Sequence, residues 1–261
     1  MIDSARVAAQ LRTERFGRSL RALPLTGSTN DDARNDALAG APDGHVVVAD
    51  QQSSGRGSQG RQWLSPAGRD LYVSIVARPS AAFRMLPTLT LAVGLGVALA
   101  VDELLGRSTG AGARRATVKW PNDVWLERKK VCGILVEAST VGSEVSAVII
   151  GIGLNVNRTD FAPDLTAHAG SLRLATGRDL DREHALCTLL WHVERSVDRW
   201  ARDGEAAIVA EVDARLAFRG EPVTHDGAAV TLLGLSPNGA IRLQTRDGAV
   251  VERVSGRLLP T

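Results

Sequence analysis

Two cysteines in 261 residues give little material for a disulfide framework or a thiolate metal site. Cys132 and Cys187 belong to no CxxC and no Cys/His cluster. Metal ligation and a disulfide scaffold are therefore set aside, and a reducing compartment is expected. Net charge is as sparse: 31 Lys and Arg stand against 29 Asp and Glu, a balance of +2, too small to imply a nucleic-acid partner. The opening Met1-Ile2-Asp3-Ser4 leads into no apolar h-region, which speaks against a secretory signal. The most apolar stretch, Leu86 to Leu105, contains Asp102, Glu103, two glycines and two threonines and reads as a buried helix rather than a span. No internal repeat or low-complexity tract is visible. These absences point to a cytoplasmic protein outside the membrane. What is present is 44% hydrophobic residues, ordinary for a globular chain, in a length that suits one large domain with a small one attached.

Residues 1–23 read as a short basic leader, helical from Val7 to Leu20. Beyond Pro24, Ser28 or Thr29 caps a short helix ending near Gly40. His45–Asp50 is a β-branched run and reads as a buried strand; Leu71–Arg78 alternates as another, and Met85–Leu105 is the central helix. Thr117–Leu126 and Val131–Ala138 read as two strands joined by a charged turn, Glu127–Lys130, with Val145–Asn157 a further strand. Glu183–Trp200 keeps Leu186, Leu189, Leu190, Val193, Val197 and Trp200 on one helical face, and Ala206–Ala217 continues helical. From about Ala214 the character changes. Val230–Leu235, Ala240–Thr245 and Ala249–Val254 are short strands between Pro237-Asn238-Gly239 and Asp247-Gly248 turns. The expected architecture is an α+β body over residues 24–213, followed by a small β-barrel over 214–261.

Gly55-Arg56-Gly57-Ser58-Gln59-Gly60 satisfies G-x-G-x-x-G. A dinucleotide fold needs a helix directly after that motif, and Pro66 and Gly68 do not build one. A P-loop needs Lys-Ser/Thr where Arg61-Gln62 stands. A kinase glycine loop needs HRD and DFG motifs downstream, and neither occurs. What survives is the physics common to all three: glycines bring backbone N–H groups close to an anion, and Arg56 and Arg61 add charged donors. The alternative is a solvated surface loop. Trp63, just beyond, favours the anion site, because an aromatic face beside a phosphate cradle is a platform for a purine.

Lys119-Trp120-Pro121-Asn122-Asp123 interrupts a hydrophobic strand. A mid-strand lysine either pairs, with Asp123 the near candidate, or meets a phosphate, because an unpaired buried ammonium is costly. Pro121 breaks the ladder and frees Asn122 and Asp123 to face a cavity. Gly151-Ile152-Gly153-Leu154-Asn155 ends another strand in a similar way, with glycines for close approach and then an amide able to read a ring edge.

These blocks taken together, STN at 28–30, QQSSGRGSQGRQW at 51–63, KWPNDV at 119–124, KKVCGILVE at 129–137 and GIGLNVN at 151–157, resemble in order the signature of the biotin–protein ligases. The resemblance covers about residues 24–261. It implies a mixed-sheet α+β catalytic domain of the biotin/lipoate ligase type followed by an SH3-like barrel. It also implies that Ser28, Thr29, Asn30 and Gln52 bind the ureido ring of biotin, and that Arg56, Gly57 and Ser58 border the carboxylate and the adenylate phosphate. Lys119 would be the essential lysine, with Gly133 also on the biotin side. Trp63 and Asn155 would contact adenine, joined on the nucleotide side by Gly55, Asn122 and the supporting cation Lys130. The chain departs from the family pattern at Ser58, where an arginine is usual. Either Arg56, Arg61 or Arg69 compensates, or the site holds its adenylate loosely.

Biotin's carboxylate is ionised at neutral pH, so joining it to ATP calls for preorganised cations rather than a base: Lys119, Arg56, Arg61 and a Mg²⁺ ion held mostly by phosphates and water. The five histidines, His45, His168, His184, His192 and His225, lie outside the blocks and read as surface or core residues. Cys132 reads as a small core hydrophobe. The implied partner is the biotin carboxyl carrier domain of an acyl-CoA carboxylase, and the expected state is a monomer or weak homodimer. A biotin-responsive repressor is disfavoured because 23 leader residues cannot hold a DNA-binding domain, so no sequence-specific DNA binding is expected. A lipoate-type ligase is disfavoured by the intact KWPND and GRG blocks.

Overall fold

The computed structural model describes residues 1–78, 86–106, 115–141, 144–163 and 165–261. Seven strands share one sheet. In chain order they are β1 (Leu20–Leu23), β2 (Val46–Ala49), β3 (Leu71–Ala77), β4 (Thr117–Lys119), β5 (Asp123–Leu126), β6 (Lys129–Val141) and β7 (Glu144–Leu154); in space they run β1-β2-β3-β7-β6-β5-β4. The β1–β2 pair is parallel and the other neighbours are antiparallel, so the sheet is mixed and the fold is α+β.

Strand alternation assigns the two faces. Val73 and Ile75 of β3, Ile134 of β6, and Ile150 and Ile152 of β7 belong to the main core, which also holds the buried residues of three helices. These are α3 (Leu86–Leu104), α5 (Arg182–Asp203) and α6 (Glu205–Ala214), with the short α4 (Leu172–Thr176) between α3 and α5 in the chain. Helix α3 is apolar over most of its length and largely enclosed, with Glu103 exposed near its end. Its Pro87–Leu104 window is long and apolar enough to cross a membrane, yet 78% of it is buried inside the protein. The expected first residue, Met85, lies outside the described residues. Gly96 lets α3 approach α5: a Cβ there would stand 2.7 Å from the Val193 Cα. The opposite face carries α2 (Thr29–Leu38), whose Ala33 and Ala37 pack with Val47, Val76, Ala147 and Ile149. Further along that face β7 changes from Ala147 and Ile149 to Gly151 and Gly153, and the packed surface gives way to a groove.

The expected leader helix over Val7–Leu20 is corrected. Helix α1 spans only Ser4–Gln10, with Asp3 capping the N–H groups of Ala5 and Arg6. The chain is then turned by the Glu194 carboxylate of α5, which accepts the backbone N–H groups of Glu14, Arg15 and Phe16 at 2.8, 2.9 and 2.7 Å. Phe16 is fully buried, and Leu20–Leu23 becomes an edge strand. The expected single strand Thr117–Leu126 is also corrected. Proline donates no N–H to a ladder, and the chain folds back at Pro121, so that β4 and β5 pair with Lys119 opposite Asp123.

The C-terminal region has five strands rather than three: β8 (Pro222–His225), β9 (Ala228–Leu235), β10 (Ile241–Gln244), β11 (Val250–Arg253) and β12 (Leu258–Pro260). They form one antiparallel sheet in the order β11-β10-β9-β8-β12. It is open, with β11 and β12 at its edges. It joins the body through Trp120 Nε1, which donates to Gly239 O at 3.1 Å, and Leu235 N–H, which donates to Asp213 at 2.8 Å.

Candidate active site

The groove opens into a cavity of about 460 Å³. Its floor follows from register. Gly133 of β6 pairs with Gly153 of β7, Leu135 with Gly151, and Gly151 in turn with Ser74 of β3. Three glycines on one face of adjacent central strands leave out the side chains that would fill the space.

One end is lined by small polar groups. Ser28 caps α2, but its side chain makes no cap bond, so the buried hydroxyl is left for the cavity. Thr29 N–H donates to Gln52 Oε1 at 2.9 Å, and Gln52 Nε2 donates to Ser65 at 2.9 Å. The Ser74 hydroxyl contacts Thr29 Oγ1 at 2.8 Å and Asn30 Oδ1 at 2.6 Å, while Asn30 Nδ2 donates to Glu137 at 2.6 Å. Apart from Ser28, each of these groups is oriented by another before any ligand arrives.

The other end is cationic. Lys119 is only 6% exposed, and its ammonium lies 3.3 Å from Asp123 Oδ2; Lys130 Nζ lies 2.6 Å from Oδ1. Burial draws Lys119 below the ordinary lysine range; Asp123 opposes the shift, while Lys130 and Arg61 add to it. Burial alone would raise Asp123, but the two ammonium groups outweigh it and hold the carboxyl below its ordinary range. Asp123 thus holds two lysines side by side, one on each oxygen. Lys130 also stands 5.2 Å from the centroid of the Trp63 ring. That indole lies on the glycine floor: a Cβ on Gly153 would come within 2.5 Å of it, and one on Gly133 within 2.8 Å. Trp63 Nε1 and Asn155 Oδ1 are buried without a hydrogen-bond partner among the described residues. The other end of the Asn155 amide is anchored on Gly170 O at 2.9 Å.

The glycine-arginine segment is a tight hairpin rather than an open cradle. Gly57 N–H donates to Arg61 O at 2.7 Å and Trp63 N–H to Gly55 O at 2.9 Å. The tip turns through Gln59 and Gly60, both at positive φ. Arg61 folds onto Ser58, donating to its carbonyl at 3.2 Å and its hydroxyl at 3.0 Å, and so places a guanidinium beside the position where the family pattern has its arginine. The cavity brings together Ser28, Thr29, Asn30, Gln52, Arg56, Gly57, Ser58, Arg61, Trp63, Lys119, Asn122, Lys130, Gly133 and Asn155. Gly55 stands behind the hairpin, where a Cβ would meet Trp63 O at 2.5 Å. Asn122 is on the lining, but its Nδ2 braces Ile134 O at 2.8 Å.

Several lining residues carry no signal in the sequence. Arg158, Phe161, Leu165 and His168 follow β7, and Arg257 and Leu259 arrive from the C-terminal sheet. His168 was expected at the surface or in the core; it flanks Trp125 at a ring separation of 6.3 Å. No motif marks these positions, because loop geometry alone brings them in.

A profile of the biotin/lipoate A/B protein ligase family matches residues 22–155. The chain belongs to this family. It is 35% identical over 236 residues to the biotin–[acetyl-CoA-carboxylase] ligase of Paracoccus denitrificans, covering 88% of this chain and 95% of that one. It is 31% identical over 256 residues to the bifunctional ligase/repressor BirA of Bacillus subtilis, covering 95% of this chain and 76% of the relative. In structure it is similar to the biotin protein ligase of Aquifex aeolicus in complex with biotin and ATP, at a TM-score of 0.80 and 30% identity, with 92% and 97% of the two chains covered.

Proposed function

We propose that the chain is an ATP-dependent biotin–protein ligase, which forms biotinyl-5′-AMP and transfers biotin to a lysine of a biotin carboxyl carrier protein. The observation that carries this reading is the pairing of a preorganised amide end, Thr29, Asn30 and Gln52, with a buried lysine at the other end of one cavity. The first end matches a ureido ring, which both donates and accepts hydrogen bonds. The second meets the carboxylate and the α-phosphate. In the first half-reaction a carboxylate oxygen attacks the α-phosphorus, the bond to the β-phosphate oxygen breaks, and pyrophosphate leaves. Lys119 and Arg61 stabilise the charge that gathers there. In the second, a neutral amine of the carrier attacks the acyl carbon and AMP leaves. Asp123 is a poor base for either step, since Lys130 and Lys119 hold its carboxyl below the ordinary range.

Adenine fits the nucleotide end. The unpaired Asn155 Oδ1 is an acceptor for an exocyclic amine, and Trp63 offers a face. Among the described residues Asp123 is the one carboxylate on the lining, it is held by two lysines, and no cluster able to ligate a metal occurs. A magnesium ion is therefore assigned to the nucleotide, coordinated by its phosphates and water. The carrier is proposed to belong to an acyl-CoA carboxylase, as the names of the Paracoccus denitrificans and Mycobacterium tuberculosis relatives suggest. The site residues are proposed in the roles that the family resemblance implies, and the C-terminal sheet is proposed to be SH3-like.

The decisive experiment is ATP–pyrophosphate exchange with biotin and with lipoate side by side. Exchange with biotin and none with lipoate is expected; exchange supported by lipoate alone would move the chain to the other branch of the family. A second measurement checks the floor. Gly153→Ala is expected to lift Trp63 and weaken ATP binding by roughly 5- to 150-fold, the worth of one stacked base. It should also change the tryptophan emission. Unaltered ATP affinity would remove Trp63 from the nucleotide site.

A further inference from the structure

Among the described residues, every buried side-chain nitrogen or oxygen that lacks a hydrogen bond belongs to a residue lining the cavity. Trp63 Nε1 and Asn155 Oδ1 are two of these atoms, and Asp123 Oδ1, a third, is met by the Lys130 ammonium at 2.6 Å. The fourth is Trp125 Nε1. Trp125 stands two residues beyond Asp123 on β5 and is only 4% exposed. Its ring is held on several sides. Phe218 meets it edge-on at a centroid separation of 5.1 Å, His168 lies tilted at 6.3 Å, and the Lys119 ammonium is 5.7 Å from its centroid. Its backbone carbonyl accepts the Thr117 hydroxyl at 3.3 Å. An indole nitrogen can only donate. Leaving such a donor buried and unpaired is costly, and nearly all buried polar groups in folded proteins find a partner.

We propose that Trp125 is a further nucleotide-binding residue, whose indole N–H donates to a phosphate oxygen of ATP beside Lys119. This rests on the reading of the cavity as a site for biotin and ATP. The unpaired N–H needs an acceptor, and the ammonium groups of Lys119 and Lys130 at the same end select an anionic one. Its neighbours His168 and Phe218 come from the loop after β7 and from the start of the C-terminal region. Thr29, Asn30 and Gln52 stand at the other end, so the ligand atom that reaches Trp125 belongs to the nucleotide rather than to biotin. A neutral donor supplies something a further cation could not. Burial, Lys130 and Arg61 already draw the Lys119 pKa down, and another positive charge would draw it further. An indole N–H adds direction to the contact with phosphate and leaves the lysine charged.

The test compares wild type, Trp125→Phe and Trp125→Leu as full chains loaded with biotin. Phenylalanine keeps a ring facing Lys119 and loses the N–H; leucine loses both. Calorimetric titration with α,β-methylene-ATP, which cannot release pyrophosphate, reads nucleotide binding without the reaction. Trp125→Phe is expected to bind this analogue roughly 10- to 100-fold more weakly, the worth of one hydrogen bond to a charged acceptor, with biotin affinity unmoved. The rise in melting temperature on adding the analogue should shrink in the same variant. A purely structural tryptophan would instead lower the melting temperature of the unliganded chain and leave that rise intact. Site-specific benzothienylalanine at position 125 has the shape of tryptophan with sulfur in place of N–H, and serves if Trp125→Phe does not fold. Wild-type affinity for the analogue in Trp125→Phe, with only Trp125→Leu impaired, would make Trp125 a support for Lys119 and overturn the proposal. So would a loss of biotin affinity with analogue binding unchanged, which would put the N–H on the carboxylate. A wild-type chain that binds no biotin would bring down the parent reading, and the role of Trp125 with it.

Discussion

Lys119→Ala is expected to slow biotinyl-adenylate formation by roughly 100- to 1,000-fold, the range for removing one preorganised donor to charge that develops in a transition state. The lysine is buried and can reach a ligand only through the cavity. Its ammonium is held by Asp123 at 3.3 Å. Removing it leaves Asp123 paired with Lys130, so the fold should survive. The measurement is single-turnover adenylation, with circular dichroism as the check on folding. A variant that adenylates biotin near the wild-type rate would reduce Lys119 to a partner for Asp123. The pH profile carries a second signature. Lys119 acts in its charged form, and burial places its pKa below the ordinary range. As pH rises through that lowered value the ammonium loses its proton and the contact is lost. The alkaline fall in rate should therefore begin below the roughly 10.4 of a free lysine. Lys119→Arg keeps its charge in that range, so whatever rate it retains should show no such fall.

Arg158→Met is expected to lower stability by about 3–5 kcal/mol, the usual cost of removing one partner from a buried ion pair. Asp70 is fully buried and Arg158 nearly so, with 2.7 Å between their charged atoms. Asp70 also accepts the Val156 N–H at 2.9 Å, and Arg158 donates to Leu64 O at 2.6 Å. The pair thus fastens the segment that carries Trp63 to the end of β7. Burial raises the Asp70 carboxyl above its ordinary range in spite of Arg158, which marks the pair as costly to desolvate. The variant combining Arg158→Met with Asp70→Asn should accordingly lose less stability than the two single changes added together. Urea unfolding of the four proteins gives the comparison. A loss under about 1 kcal/mol in Arg158→Met would place the pair with surface bridges, whose worth is of that order.

The parts of the fold that could be read in advance are those governed by local periodicity. Helix α5 buries Leu186, Leu189, Leu190, Val193, Val197 and Trp200 as its spacing implied, and β3 forms where its alternation put it. The parts that could not be read depend on distant partners. Nothing in Leu20–Leu23, half-buried at every position, announces a strand until β2 is beside it. The chain beyond α1 is not helical to Leu20 because Glu194, distant in sequence, takes the backbone N–H groups of Glu14, Arg15 and Phe16. Strands β8 and β12 carry Pro222 and Pro260, residues that blur a strand signal; β8 forms between β9 and β12, and β12 by pairing with β8.

The site divides in the same way. Lys119, Pro121 and the strand-end glycines were visible because each is out of place in an ordinary strand. Arg158 and Asp70 are 88 residues apart and unremarkable on their own. The charges around Arg56 are similar: Asp31 on α2 and Glu137 on β6 look like solvated charges until the hairpin brings Arg56 within 2.8 Å of the first and 3.5 Å of the second. The segment expected to cradle an anion with its backbone spends several of its N–H groups closing the hairpin, a use that composition does not reveal.

The glycine floor also sets a direction for change. Gly133, Gly151 and Gly153 already carry the smallest side chain there is, so every substitution at these positions adds atoms and none removes any. The bed of the groove can be raised but never lowered. Variation there can only make the chain more exclusive, by shutting out part of what it now accepts. A lineage drifting toward a bulkier acid would have to gain its room from the opposite wall, in the hairpin and the loop after β7, where whole side chains remain to be trimmed.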